Sequence, residues 1–366
     1  MCIIAGYSGK KRAAPILIEM LKKSEYIDGG LSTGIATIHE GKLYTRKVIG
    51  DVEALLQNTD ALDLPGTTGI IHSRTENNYV EHAHPFTSND EKMAIVLNGT
   101  TFGGGSDEFY ALRNKIMNEF MDNGVKIKSA VPPKNPNKVY RTILKNGYTY
   151  HGAGEPYAHL IGEAVKNSPK ETIKDDIAAA TKRALETLPI DIISLNVHAN
   201  LPDTITIGNV TRPMSVGFGD GETYLASCAF MLPEKIQESP VAFISPTTIA
   251  QVTPKGLEIR STALVGARVE QITSKVTARV RADIERILGG KENDPQSIYA
   301  FPLYTEWDEM WQKPLVDTPF PYDGTRLKPV VPALYEGLWS FHKEGRLHSV
   351  IGKNGEYKIT KFWIDL

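Results

Sequence analysis

The chain has 366 residues, with 41 Lys and Arg against 43 Asp and Glu and a formal net charge of −2. That length allows roughly two domains, or one large domain with an addition, and the near-neutral charge argues against a generic nucleic-acid binder. Apolar residues make up 41%, ordinary for a soluble globular protein; no apolar run approaches the length of a membrane span, and two cysteines, Cys2 and Cys228, fit a reducing cytoplasm rather than a disulfide framework.

The opening Met1 to Gly6 is apolar only briefly and lacks a basic flank, so a signal peptide is not expected. Helix is predicted from Pro15 to Lys23, with Ile16, Leu17, Met20 and Leu21 on one face. Strands follow at Gly34–Ile38, Gly69–Ile71 and Met93–Leu97. Ser106 is a candidate N-cap for a helix reaching Met121, with Phe109, Leu112, Ile116 and Phe120 at helical spacing. A further helix runs from Thr172 to Leu188 and stops at Pro189. Strands are then expected at Ile190–Val197, Thr204–Ile207 and Val241–Ser245. Strands in hairpin-like succession with segregated helices indicate an α+β fold.

The texture changes after about residue 265. Val269 to Leu288 reads as one amphipathic helix closed by Gly289-Gly290. A Pro- and aromatic-rich stretch, Tyr299 to Pro332, precedes a short helix marked by Leu334, Leu338 and Phe341. Asn354-Gly355 between apolar runs signals a hairpin. The expected division is a main domain at 2–265 and an appendage at 266–366 that packs on it. In the appendage, Trp307, Trp311, Trp339 and Trp363 are expected to form a small core of their own, with a docking surface as the other reading.

Few residues have the chemistry of a site. If Met1 is trimmed, Cys2 carries a thiol and a free α-amine; the amine titrates near enough to neutrality to serve as base for its own thiol. The other reading of Cys2 is a buried residue on an edge strand. Asn98-Gly99, directly after a strand, is either a turn or a pair of oxyanion donors, one side-chain amide and one backbone N–H. Arg74 is either a structural ion-pair residue or a bidentate carboxylate ligand. His82 and His84, without a nearby Cys or acidic cluster, do not make a metal set, and no cofactor is expected. Cys228 reads as a buried structural thiol.

Taken together, the ordered segments Cys2-Ile3-Ile4-Ala5-Gly6-Tyr7, Gly69-Ile70-Ile71-His72-Ser73-Arg74, Ala83-His84-Pro85-Phe86 and Val96-Leu97-Asn98-Gly99 resemble the class II glutamine amidotransferase domains. The likeness is strongest to the glutaminase half of the glucosamine-6-phosphate synthases. It extends through Glu155-Pro156-Tyr157-Ala158-His159-Leu160 and Gly217 to Ser227, covering roughly residues 2 to 265. The resemblance implies an N-terminal-nucleophile (Ntn) hydrolase fold, an αββα four-layer sandwich of two antiparallel sheets. It implies Cys2 as nucleophile, Asn98 and the Gly99 N–H as oxyanion hole, Arg74 on the substrate α-carboxylate and His84 in the pocket loop. It places Thr75 and Glu155 among the substrate-binding positions. The reaction implied is hydrolysis of the glutamine γ-amide through a thioester, giving glutamate and ammonia.

Departures from the family pattern are informative. The Asp that holds the substrate ammonium in the family aligns with Ala153, and an insert, Ala130 to Tyr150, precedes it. Loss of that charge-assisted contact is worth on the order of 1.5–3 kcal/mol; Glu155 or Asp107 are candidates to compensate. Thr75 replaces a Trp, and no room remains for sugar-isomerase domains. A separate ammonia-accepting synthase is therefore the expected partner, with no nucleic acid and no membrane, and a homo-oligomer is left open. The alternatives are a free-standing Ntn amidohydrolase acting on another γ-glutamyl or acyl amide, and a non-catalytic regulatory subunit.

Overall fold

The computed structural model describes residues 2–74, 79–99, 107–135, 140–188, 191–264, 272–301 and 330–366. The chain begins β1 (Cys2–Ser8), α1 (Ala13–Lys22), the single turn α2 (Glu25–Asp28), β2 (Ser32–His39), β3 (Lys42–Ile49), α3 (Val52–Asn58) and β4 (Thr68–Arg74). It continues with β5 (Phe86–Thr87), β6 (Met93–Gly99), α4 (Asp107–Asp122), α5 (Glu155–Val165), α6 (Ile173–Thr187), β7 (Ile192–His198) and β8 (Leu201–Asn209). Then come β9 (Ser215–Gly219), β10 (Glu222–Ala226), α7 (Glu234–Gln237), β11 (Ala242–Phe243), β12 (Thr248–Thr253) and β13 (Gly256–Ser261). The last elements are α8 (Ser274–Leu288), α9 (Val330–Lys343), β14 (Leu347–Asn354) and β15 (Tyr357–Ile364).

One seven-stranded sheet has the order β11-β9-β10-β1-β4-β2-β3, and a six-stranded sheet the order β13-β12-β8-β7-β6-β5. Their pairings are antiparallel. Side-chain alternation sorts each strand into two cores. Ile3, Ala5 and Tyr7 of β1 face a core shared with α1, α3, α8 and α9, while Ile4 faces the gap between the sheets. On β6, Ala94 and Val96 enter that same gap, and Met93, Ile95 and Leu97 pack on α5 and α6. Because both faces are covered, these strands read as continuous apolar runs. The result is an α+β sandwich of four layers, helix–sheet–sheet–helix.

Most expected elements are present within a few residues. Val241–Ser245 yields only the two-residue β11; Pro240 and Pro246 flank it and cannot donate to a ladder. The helix expected from Val269 is described from Ser274, where Thr273 Oγ1 accepts the Val276 N–H at 3.4 Å; residues 269–271 and the Ser106 cap lie outside the described residues. The hairpin at Asn354-Gly355 is present, with Gly355 at φ +61°.

The C-terminal segment packs on the helix layer of the sandwich. Val280, Ile284 and Leu288 of α8, Leu334, Leu338 and Phe341 of α9, and Phe362 and Ile364 of β15 share one continuous core with Leu17, Leu21 and Ala5. Lys358 on β15 donates to Tyr26 and to Asp51, and Tyr299 hydrogen-bonds Asp28. Of the four tryptophans expected to form a core there, Trp339 packs, partly buried, against this shared core. Trp339 and Trp363 stack on His342 and His348, each with ring centroids 5.2 Å apart, while Trp307 and Trp311 lie outside the described residues.

The insert is fastened to α4. Asn114 donates to the Arg141 carbonyl and accepts from the Ile143 N–H and the Tyr150 hydroxyl. Met117, Val125, Ile127, Leu144 and Tyr150 close a small satellite core beneath it.

Candidate active site

The site forms where two strands of one sheet end against a strand of the other. Cys2 and Arg74 are register partners at the ends of β1 and β4. Across the inter-sheet gap, the Cys2 N–H donates to Asn98 Oδ1 at 3.1 Å. One residue earlier on β6, the Leu97 carbonyl accepts from His72 Nε2 at 3.0 Å. Two consecutive residues of β6 are thus pinned to the opposite sheet, which sets the orientation of the Asn98 side chain. With Oδ1 turned to Cys2, the Nδ2 hydrogens face the other way, and Nδ2 makes no hydrogen bond to a described residue. Gly99 cannot carry a side chain here: a β-carbon would stand 2.4 Å from the Asp191 carbonyl oxygen. Its backbone is therefore free to come close to a reacting group.

Arg74 is held by the loops around it. Nη1 donates to the His82 carbonyl at 3.3 Å and meets His151 Nε2. Glycines make this crowding feasible. A β-carbon on Gly154 would stand 2.1 Å from the Phe86 ring and 3.0 Å from His84 Nε2, and one on Gly34 would strike the His84 carbonyl oxygen.

Around Arg74 lies a cluster of four histidines. His72 and His84 have ring centroids 4.0 Å apart, His84 and His151 5.3 Å, and His82 and His151 5.8 Å; the Phe86 ring stacks on His151 at 4.8 Å. Burial, with the Arg74 charge added, pushes His72 down to about 3 and His82 to about 4. Burial and neighbouring positive groups hold His84 and His151 well below the usual imidazole range. All four are neutral near pH 7. Among the described residues no group of three or more His, Cys, Asp or Glu could hold a metal ion.

Glu155 sits at the start of α5, wholly buried. Its carboxylate accepts from the Ser129 N–H at 3.0 Å, the Ser129 hydroxyl and the Lys128 N–H, with His159 Nε2 3.4 Å away. Burial alone would raise its pKa, but the His159 and Ser129 contacts outweigh it and hold the group below the usual carboxylate range. Ser129 Oγ in turn accepts the His151 N–H at 2.8 Å. The chain Glu155–Ser129–His151–Arg74 ties the carboxylate of Glu155, a position the resemblance places among the substrate-binding residues, to the loop beside Arg74. Ala153 is buried and brings no charge. His84 lies beneath the site, both ring nitrogens unpartnered. Thr75 lies outside the described residues.

Sequence reading missed His151, Ser129 and Arg113. Arg113 on α4 is 2% exposed, and its Nη1 has no hydrogen-bond partner. The Phe109 and Tyr110 rings flank it at 4.5 and 5.0 Å. A β-carbon on Gly152 would stand 2.2 Å from Nη1.

No family model matches the chain. Among curated proteins, the glutamine–fructose-6-phosphate aminotransferase (isomerizing) of Pyrococcus horikoshii is 28% identical over 232 residues, 62% of this chain and 32% of that protein. The same-named protein of Methanosarcina mazei is 27% identical over 298 residues, 79% of this chain and 42% of its own length. The glutamine phosphoribosylpyrophosphate amidotransferase structure from B. subtilis superposes with a TM-score of 0.51 at 19% identity, covering 72% of this chain and 50% of that one. A structure described as the allosteric regulatory enzyme of purine biosynthesis gives a TM-score of 0.52 at 17% identity, covering 78% and 58%. The chain is similar in sequence and in fold to the class II glutamine amidotransferases. It spans about a third to two fifths of the length of those curated relatives. No helix among the described residues is long and apolar enough to cross a membrane.

Proposed function

We propose that the protein is an N-terminal-cysteine amidohydrolase of the class II glutamine amidotransferase type. The observation that carries this reading is the contact between Cys2 and Asn98 across the two sheets, with Arg74 in register beside Cys2. Removal of Met1 frees the Cys2 amine, which takes the thiol proton. Sγ attacks the carbonyl carbon of the side-chain amide, and the oxyanion receives hydrogen bonds from Asn98 Nδ2 and the Gly99 N–H. The C–N bond breaks, the proton passes to the leaving nitrogen, and ammonia departs. Water then attacks the thioester, giving the carboxylate and regenerating the thiol. Arg74 takes the substrate carboxylate bidentately.

The ammonia acceptor is proposed to be a separate synthase in the cytoplasm. Two free cysteines agree with a reducing compartment. The second reading, a free-standing hydrolase of another amide, is favoured by Ala153, which has no carboxylate for a substrate ammonium.

The test is ammonia and glutamate release by protein whose intact mass shows Met1 removed, against Cys2→Ala. The variant is expected to lose turnover while keeping the wild-type circular dichroism spectrum. A Cys2→Ala protein with full activity would overturn the proposal.

A further inference from the structure

Ser129 and His151 flank the insert, and the structure closes them on each other. Within the insert Val131 and Thr149 form an antiparallel bridge, the N–H of each donating to the carbonyl of the other at 2.9 and 3.0 Å. Just below that bridge the His151 N–H donates to Ser129 Oγ at 2.8 Å, and the Ser129 hydroxyl donates to Glu155. His82 Nε2 reaches the Ser129 carbonyl at 3.0 Å. The neck of the insert is therefore anchored on the buried, ionised carboxylate of Glu155. From this neck the His151 ring projects to Arg74 Nη1. The ring has little freedom: it is buried, Phe86 stacks on one face with 19° between the planes, and His82 and His84 meet it edge-on. A guanidinium has donors only, so His151 Nε2 meets it as an acceptor, which places the ring proton on Nδ1 and keeps the imidazole neutral. The same Nη1 donates to the His82 carbonyl at 3.3 Å. Acceptors for both hydrogens of one nitrogen fix the plane of the guanidinium, and a bidentate grip on a carboxylate depends on that plane.

We propose that His151 is a positioning residue for substrate recognition: its ring, held by the neck of the insert, orients Arg74 to grip the α-carboxylate of glutamine. This deepens the reading of Cys2 and Arg74 and rests on it. It also gives the insert a role, since its neck sets how tightly the substrate is held rather than how fast the amide is cleaved. Arg74 would grip the carboxylate equally in the bound substrate and in the transition state. Loosening that grip removes uniform binding, which raises KM and leaves kcat.

Two substitutions test this. His151→Leu keeps an apolar side chain against Phe86 but has no acceptor, whereas His151→Gln offers Oε1 near the place of Nε2. In His151→Leu the KM for L-glutamine should rise about tenfold or more, with kcat within about threefold of the wild type. His151→Gln should bring KM back to within about threefold. Alkylation of Cys2 by iodoacetamide, which has no carboxylate for Arg74, reads the nucleophile separately through the mass of the N-terminal peptide; its rate should be the same in all three proteins. Circular dichroism verifies that each variant is folded. An unchanged KM in His151→Leu overturns the proposal. So does a fall in kcat together with slower alkylation, which marks structural damage, and so does a His151→Gln protein no better than His151→Leu. Each of these outcomes leaves the Cys2 reading standing. If the wild type with Met1 removed releases no ammonia from glutamine, the Cys2 reading fails, and calorimetric binding of L-glutamine decides the role of His151 separately. Binding weakened about tenfold by His151→Leu supports it; no binding to the wild type, or binding that the substitution leaves unchanged, overturns it.

Discussion

Arg212 and Arg113 are both 2% exposed, one just after β8 and the other midway along α4, and their surroundings are opposite. Arg212 donates from Nη2 to Asp191 Oδ2 at 2.5 Å and from Nε to the Asp191 carbonyl at 3.3 Å; its own N–H is accepted by Asn209. Thr211 bonds the other carboxylate oxygen of Asp191. That corner is a closed ion pair linking the start of β7 to the end of β8. Arg113 has two rings and, among the described residues, no acid. A buried charge costs several kcal/mol unless it is paired and hydrogen-bonded. The Arg212 corner meets that condition within the chain; at Arg113 the faces of the Phe109 and Tyr110 rings stand where an acid would. Burial alone therefore does not tell how an arginine's charge is held, whereas its partners do.

The largest effect expected is in acid, and it belongs to the histidine cluster around Arg74. His72 and His82 titrate near 3 and 4 in the folded protein and near 6.5 unfolded. Between those values the unfolded chain binds more protons, so stability is full above about pH 6.5 and falls as pH drops toward 4. Each histidine contributes a loss on the order of 1.4 kcal/mol per pH unit. Urea midpoints at pH 7.5 and 4.5 measure this, and His82→Gln should flatten the slope. A midpoint that does not move with pH removes the argument.

On the paired side, Arg212→Met leaves the partly exposed Asp191 without its cation and should cost about 2–4 kcal/mol in denaturant unfolding. A loss under about 1 kcal/mol would mean that Asp191 finds another partner. Gly99→Ala drives a methyl into the Asp191 carbonyl, joining the ion-pair corner to the proposed oxyanion site. It should cost about 1–3 kcal/mol and lower turnover as well; unchanged stability and rate would show that β6 and β7 can separate there. The smallest effect is Arg113→Met. Removing an unpaired buried cation while losing its ring contacts should change stability by about 1 kcal/mol or less. A loss as large as that of Arg212→Met would erase the contrast and show Arg113 to be structural.

Much of the fold was legible because strands covered on both faces announce themselves as apolar runs. Met93 to Leu97 and Ile3 to Ala5 did so. The candidate site was legible where it lies on those strands: Cys2, Arg74, Asn98 and Gly99 were all named from order and chemistry. Glu155 was named too, but its local sequence could not show that Ser129 and Lys128 occupy its carboxylate. Ser129, His151 and Arg113 come from the insert and its supporting helix, where no period marks them. The 266–366 segment read as an addition because its composition changes; which residues join it to the main domain is set by packing, where its helices share the core of α1.

By itself the sequence determined which residues alternate, where chains turn, and which few side chains have nucleophilic or donor chemistry, since those properties are local. Tertiary structure alone decided which sheet ends meet. It set Cys2 against Asn98, gathered four histidines around Arg74, and gave Asp191 to Arg212 while leaving Arg113, among the described residues, without an acid. The reason is physical: a charge's partner and dielectric surroundings depend on residues tens of positions away, and only the packed chain brings them within hydrogen-bond range.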